Sequence, residues 1–416
     1  MTHLLGDKIP APLRGAESGT WAHSTITVRF KEILRRTLAD NDFSAAQRAR
    51  LEVLLEEIPH APLRPLRDRS APDAAAWDEY LRPYGGQDWL HVPWFLAEHY
   101  FYRRILEAVG YFLPGEGEGC DPFAAAKRRG LAQGLKDFPR RLAALARWRE
   151  ELPPEKRLEY LLYADLWGNQ ADYSLWPAEA GQRPDHASTD AAAEHLLWDD
   201  IPSIARCLVS ASARGRRVDL VADNAGAELL LDLALADETL TLGAASVVLH
   251  LKAHPTFVSD ALAADVVSTL EALRAQGETH TRALAERLMA RLEEGRLVLQ
   301  PHFFWNSPLE GWRLPADLRA MFAQAALVIS KGDANYRRWV GDRHWEFTTP
   351  FAQVMAYFPA PFAALRTLKA EVVCGLQPGQ AERTARRDPD WMVNGRWGLA
   401  QFRPIPESTS RSPAPV

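Results

Sequence analysis

From Arg217 onward the chain alternates short apolar runs with stretches of helical spacing, and this alternation restricts its fold more than any other feature. Arg217-Val-Asp-Leu-Val-Ala222 reads as a buried strand, followed by a helix over about 226–236. Ser246-Val-Val-Leu-His-Leu251 is a second strand, followed by a helix over about 259–274. Further apolar runs stand at Arg296–Leu299, Ala326–Ile329 and Glu371–Cys374. Strands alternating with helices predict an α/β fold with a mostly parallel sheet covered on both faces. In such sheets ligands bind beyond the carboxyl ends of the strands.

Upstream of about residue 212 the periodicity is helical throughout. Residues 27–39 (TVRFKEILRRTLA) space apolar side chains three and four apart, as one helix face requires, and 44–57 repeat the pattern after Asn41-Asp42. Residues 93–110 open with proline at a favourable first-turn position and close near Gly110. Helical spacing continues over 121–150, 154–166 and 188–213. The expected organisation is a helical N-terminal domain over 1–212, its first 20 residues irregular, packed on an α/β/α sandwich over 213–400. A disordered tail rich in Ser and Pro is expected over 401–416.

With 416 residues, 47% hydrophobic and 25% charged, the chain can bury a sizeable core. A net charge of -5 leaves no basic excess to neutralise a phosphate backbone, so no nucleic-acid partner is expected. Small anionic substrates remain open, because a few local Lys and Arg residues suffice for them. Cys120, Cys207 and Cys374 form no CxxC pattern, which argues against a zinc ribbon or a disulfide framework and fits a reducing compartment. The opening residues lack an apolar signal core, and no apolar run approaches the ~18–20 residues of a membrane span. A cytoplasmic location without membrane contact is expected.

The residues that carry chemistry gather where strands should end. Asp223 and Asn224 follow the first strand, KAHPTFVSD (252–260) the second, and SKGDANYRR (330–338) the run at 326–329. Oxygen donors from Asp and Asn suit a hard divalent cation. Lys331 and Arg337, with a helix starting near 334, can hold a phosphate. A cation beside a phosphate pocket is the apparatus of phosphoryl transfer or hydrolysis. Taken singly, each cluster is also an ordinary turn or cap: Asp-Asn-Ala-Gly and Ser259-Asp260 both suit the start of a helix. Gly115-Glu-Gly-Glu-Gly119 follows a helix and carries two glutamates, so a flexible loop is expected there rather than a phosphate cradle. The histidines show no tight metal-binding spacing.

Five short motifs occur in order: WGNQADYSLW (167–176), DNAGAE (223–228), KAHPTFVSD (252–260), KGDANYRRWVGDRHW (331–345) and RTLK (366–369). With WAHSTITVRF (21–30) and WFLAEHYFYRRI (94–105) upstream, the set resembles the metal-dependent damage-control phosphatase family, in its sugar-phosphate subgroup, over roughly residues 20–376. The resemblance implies a helical half packed on an α/β/α sandwich. It implies a single divalent cation, Mn2+ or Mg2+ with Co2+ or Ni2+ as alternatives, held by Asp223, Asn224 and Asp260, which would also carry the catalysis. It implies substrate contacts from Asp333, Asn335, Tyr336, Arg337 and Lys369, with Glu228 lining the same pocket. The implied activity is hydrolysis of small phosphorylated sugars, of the fructose 1-phosphate or fructose 6-phosphate type, or of related damaged metabolites, by a protein expected to be a monomer. The subgroup also includes proteins called acidic-residue methyltransferases. Methyl transfer from S-adenosylmethionine to protein carboxylates is therefore the alternative, and a noncatalytic sugar-phosphate sensor a third. The chain departs from the family pattern at Tyr173, His254 and Ala334, which lie outside the matched ligands.

Overall fold

The computed structural model describes residues 9–168 and 194–405. Its strands are β1 (Leu196–Asp199), β2 (Val218–Val221), β3 (Val247–Lys252), β4 (Leu297–His302), β5 (Leu327–Lys331), β6 (Phe362–Thr367) and β7 (Gly398–Arg403). They form one sheet in the order β1-β7-β6-β5-β2-β3-β4. β2 to β6 run parallel, β7 is antiparallel to β6, and β1 lies parallel to β7 at the edge. The chain leaves β2 for β3 and β4 on one side, then crosses to β5 and β6 on the other. The strand order therefore reverses at β2, and the crevice beyond its carboxyl end is where an open sheet of this kind receives a ligand.

The first half supplies helices α1 (Trp21–Ser24), α2 (Phe30–Asp40), α3 (Ala45–Glu57), α4 (Ala74–Leu81), α5 (Trp94–Val109), α6 (Ala124–Gly134), α7 (Phe138–Glu151) and α8 (Pro154–Leu166). The sheet region adds α9 (Ile201–Ala213), α10 (Ala227–Thr241), α11 (Ala263–Ala275), α12 (Thr279–Glu293), α13 (Ala316–Phe322) and α14 (Asp333–Val340), besides two short later helices. Strand residues alternate between two cores, as a pleat requires. Val328, Phe362 and Ala364 pack with α2, α3, α5 and α14 on one face. Leu327, Ile329, Ala363 and Leu365 pack with α7 to α12 on the other. Both halves of the chain thus contribute to both cores. β2 and β5 are buried along their whole length, the pattern of strands covered on two faces. No helix among the described residues is long and apolar enough to cross a membrane.

Several elements follow their local signals closely. Ser44 and Gln47 form a capping box at the start of α3, and Gly110, at φ 78°, ends α5 in the left-handed conformation. Others depart from the sequence reading. The helix expected over 121–150 is broken between α6 and α7, where α6 ends at Gly134 against the first turn of α10. Of the helix expected over 188–213, Ile201–Ala213 is helical, and 188–193 lie outside the described residues. Asp199 Oδ1 accepts the Ile201 N–H at 3.0 Å and Pro202 occupies the first turn, while Leu196–Asp199 instead join the sheet. The strand expected at Glu371–Cys374 is a buried loop, and the strand lies earlier, as β6. Gln401, Phe402 and Arg403, expected in a disordered tail, instead pair with β6. Residues 169–193 and 406–416, with most of the WGNQADYSLW motif and Tyr173, fall outside the described residues.

Candidate active site

β2 ends at Val221, and the chain then passes through Asp223 and Asn224 before α10 begins. The N-cap of α10 is Gly226, without a side-chain cap, so neither Asp223 nor Asn224 is spent on starting the helix. The loop after β3 folds back against this segment. Ala261 N–H donates to Asp223 O at 2.8 Å, Ala225 N–H donates to Ser259 O at 2.7 Å, and Asn224 pairs with Asp260 as an antiparallel bridge. α11 is capped by Asp265, whose Oδ2 accepts the Leu262 N–H at 2.9 Å. Ser259 and Asp260 are therefore not its cap either. Both ordinary readings of these residues fail, and the loops after two neighbouring strands present their polar side chains to one place.

There, Asn224 Nδ2 donates to Asp223 Oδ2 at 2.7 Å and to Glu228 Oε2 at 3.1 Å, while the Ser259 hydroxyl donates to Asn224 Oδ1. The Lys252 ammonium stands 3.2 Å from Asp260 Oδ2, within ion-pair range, and donates to Trp305 O at 2.7 Å. The turn from β5 into α14 passes close behind Asp223. Gly332, at φ 86°, leaves room where a Cβ would fall 2.7 Å from Asp223 Cβ and nearer still to its carboxylate. Burial, then the negative charges of Asp260 and Glu228, push the Asp223 carboxyl well above its ordinary range, against the pull of Lys369 and Lys252. Burial also raises Asp260, opposed by Lys252. Among the described residues no three His, Cys, Asp or Glu side chains gather closely enough to hold an ion by themselves. The donor set on offer is two buried carboxylates and a neutral amide, all hard oxygen ligands, and it fits a hard divalent cation.

Asp223, Asn224, Ser259 and Asp260 line a cavity of about 570 Å³. Glu228, expected to line it as well, does not: its carboxylate accepts from Asn224 and so reaches the cavity through that residue. Asp333, Arg337 and Lys369 line it too, but Asn335 and Tyr336 do not. Asn335 Nδ2 donates to the backbone oxygens of Ala222 at 3.0 Å and Lys331 at 2.9 Å, tying α14 to the end of β2. The Tyr336 hydroxyl donates to Gln401 Oε1 at 3.0 Å in the core. The substrate contacts expected from these two residues are thus replaced by structural ones. Lys331, expected beside a phosphate, is buried on the far side, where its ammonium pairs with Asp165 and, at 3.0 Å, with Asp232. Arg337 reaches the cavity wall with its donors engaged: Nη1 to Glu98 at 2.6 Å, and Nε and Nη2 to Asp342 at 2.7 and 3.1 Å. Its guanidinium also lies 3.6 Å over the Trp94 ring. Burial pushes Glu98 up to about 7, with Arg337 pulling the other way. Asp333 Oδ1 accepts from Arg366 Nε at 2.8 Å and from the backbone N–H of Lys369 at 2.9 Å. Burial opposes its ionisation, but Arg366 and Arg337 hold its carboxyl below the ordinary range. Lys369 is exposed at the cavity.

The cavity has further walls to which the sequence reading assigned no role. Trp94, Glu98 and Tyr102 come from α5, Arg29 from the turn before α2, and Lys127 and Gly130 from α6. Glu98 carried a sequence signal, since it is an acid set among the apolar and aromatic residues of Trp94–Tyr102, in a helix that is buried throughout. Lys127 pairs with Asp121 at 2.9 Å and Asp265 at 2.8 Å, which fixes α6 beside the loop that delivers Asp260.

A pocket lined by Asp223, Asp260 and Lys369 beyond the carboxyl end of β2, where the strand order reverses, stands where an open α/β sheet receives a small ligand. The profile of the damage-control phosphatase ARMT1-like domain matches residues 25–384. The damage-control phosphatase ARMT1 of Xenopus tropicalis is 31% identical, covering 94% of this chain and 98% of its own length. That of Homo sapiens is 31% identical over 95% of this chain and 98% of its own. That of Danio rerio is 34% identical over 82% and 81%. A crystal structure of a DUF89 family protein from Pyrococcus horikoshii aligns with 91% of this chain and 97% of that one, at 13% identity and a TM-score of 0.45. The chain belongs to the ARMT1-like damage-control phosphatase family and is a phosphatase.

Proposed function

We propose that the cavity is a cation-assisted phosphomonoesterase site for small phosphorylated sugars, of the fructose 1-phosphate or fructose 6-phosphate type. The observation that carries this reading is the convergence of Asp223, Asn224 and Asp260, from the loops after two adjacent strands, on a cavity that also holds Lys369. Buried carboxylates so close together call for a positive partner, and their oxygens suit Mn2+ or Mg2+, with Co2+ or Ni2+ as alternatives. When bound, such a cation neutralises phosphate oxygens and the charge that develops on them.

The chain's own residues do the rest. Lys369, its backbone anchored on Asp333, orients the phosphate from the exposed side. Glu98 and Asp342 lock Arg337, which keeps α5 and α14 together as one wall of the pocket. Trp94 and Tyr102 make that wall apolar and limit water there. A cavity of about 570 Å³ suits a small-molecule ester.

The test is phosphate release over a panel of sugar phosphates, with each divalent ion in turn, for wild type and Asp223→Asn. Chelation and the substitution should each abolish release. Full activity after either one would remove the reading. Labelled methyl transfer to protein carboxylates that survives complete removal of metal would favour the methyltransferase alternative.

A further inference from the structure

The loop that delivers Asp260 contains two consecutive residues in the left-handed region, Phe257 at φ 52° and Val258 at φ 61°. Neither is glycine. For a β-branched residue this conformation is an outlier that persists only where its surroundings enforce it. Here the surroundings are explicit. On the N-terminal side Asn306 clamps the loop: its Nδ2 donates to His254 O and to Thr256 Oγ1, both at 2.8 Å, and its Oδ1 accepts the Ala253 N–H at 2.8 Å. On the C-terminal side Ser259 O accepts from Ala225, the Ser259 hydroxyl rests on Asn224 Oδ1, and Asp260 bridges to Asn224. Between these anchors the Phe257 ring is wedged edge-on against His99, centroids 4.8 Å apart, and lies 5.1 Å from Tyr102. Ser259 N approaches Phe257 O at 2.6 Å across Val258, so the chain reverses about that single residue in the rare positive-φ form of the γ-turn.

We propose that Val258 is a positioning residue that acts through its backbone: the left-handed turn at Phe257–Val258 aims the Ser259 hydroxyl at Asn224 and the Asp260 carboxylate into the cavity. With the loop fixed at Thr256 and at Ser259, only two residues remain in which to reverse direction. An extended conformation at either would swing Asp260 away from Asn224. The strain is retained because the relaxed turn loses the site. This inference rests on reading Asp260 as a cation ligand.

The experiment is calorimetric titration with Mn2+, together with thermal melting and phosphate release, on the full chain as wild type, Val258→Gly and Val258→Pro. Glycine takes positive φ freely, so V258G should keep its Mn2+ midpoint within about threefold and melt at or above the wild type. Proline locks φ near -65° and drives Phe257 to an extended conformation, so V258P should lose at least about tenfold in Mn2+ affinity, and kcat with it, while its circular dichroism is unchanged. Weakened Mn2+ binding in V258G, or a melting midpoint several degrees below wild type, would show that the valine side chain matters rather than the turn, and would overturn the proposal. Wild-type binding in V258P would overturn it as well. If V258P does not fold, V258G decides alone. A wild type that binds no Mn2+ overturns the cation site itself, an outcome distinct from failure of the turn.

Discussion

Gly332→Ala tests whether the placement of Asp223 governs the chemistry. Gly332 joins β5 to α14 at φ 86° and ψ 169°, a region open essentially to glycine alone. An alanine there carries two costs. Forcing a Cβ into that backbone region destabilises the fold by roughly 1–3 kcal/mol. The Cβ would also fall 2.7 Å from Asp223 Cβ and nearer its carboxylate, so the carboxylate or the whole turn must retreat. A retreat of about an ångström at a reacting centre costs about a hundredfold in rate, equivalent to about 2.7 kcal/mol of transition-state stabilisation. The two costs fall on different measurements. The stability loss lowers the melting midpoint by a few degrees and leaves the protein folded at assay temperature. The displacement lowers kcat/KM about a hundredfold at saturating Mn2+. Steady-state phosphate release, scanning calorimetry and Mn2+ titration on the same preparation separate them. A variant that melts a few degrees lower but keeps wild-type kcat/KM and Mn2+ midpoint would refute the assignment of Asp223.

Lys369→Met should lower kcat/KM by about 10–100-fold, the worth of a charge-assisted hydrogen bond to phosphate. It should leave the melting midpoint in place, because the side chain is exposed at the cavity. Phosphate-release kinetics beside a thermal scan check both, and unchanged kcat/KM would remove Lys369 from the substrate site. Acid stability should report His254. Burial depresses it from the ordinary 6.5 to about 4, against the pull of Asp73. The fold therefore favours the neutral ring. Its contribution is complete above pH 6.5 and is lost as pH falls from there through about 4, amounting to about 3 kcal/mol. Melting midpoints from pH 7 to 4 should fall more steeply for wild type than for His254→Gln, and parallel curves would contradict this.

The meeting of Asp223, Asn224 and Asp260 was legible because the apolar runs before them became neighbouring strands, at the rim where such sheets bind ligands. What separates them from ordinary helix caps is not local. Gly226 and Asp265 take over the capping of α10 and α11, and that is visible only once the helix starts are known. The expectations for Asn335 and Tyr336 failed for a reason helical geometry explains. Around α14 only positions 333, 334 and 337 share the cavity face, 337 lying three and four residues beyond the other two as a helical stripe requires. Asn335 and Tyr336 turn toward β2 and β7, so a motif read as a string overcounts the side chains a helix can aim at one point. Lys331 failed differently. As the last residue of β5 it points to the opposite face, where Asp165 from α8 and Asp232 from α10 neutralise it, and partners that distant in sequence leave no trace in the local pattern. β6 was missed for a related reason. Arg366 sits fully buried inside it, since Asp333 and the backbone oxygens of Ala370 and Val372 satisfy its guanidinium. The apolar loop 371–374 then offered the stronger strand signal. For Lys331 and Arg366 a buried charge, satisfied by partners outside its own strand, decides the outcome. A reading based on local periodicity errs where a strand buries a charge, because the partner that neutralises it comes from another element.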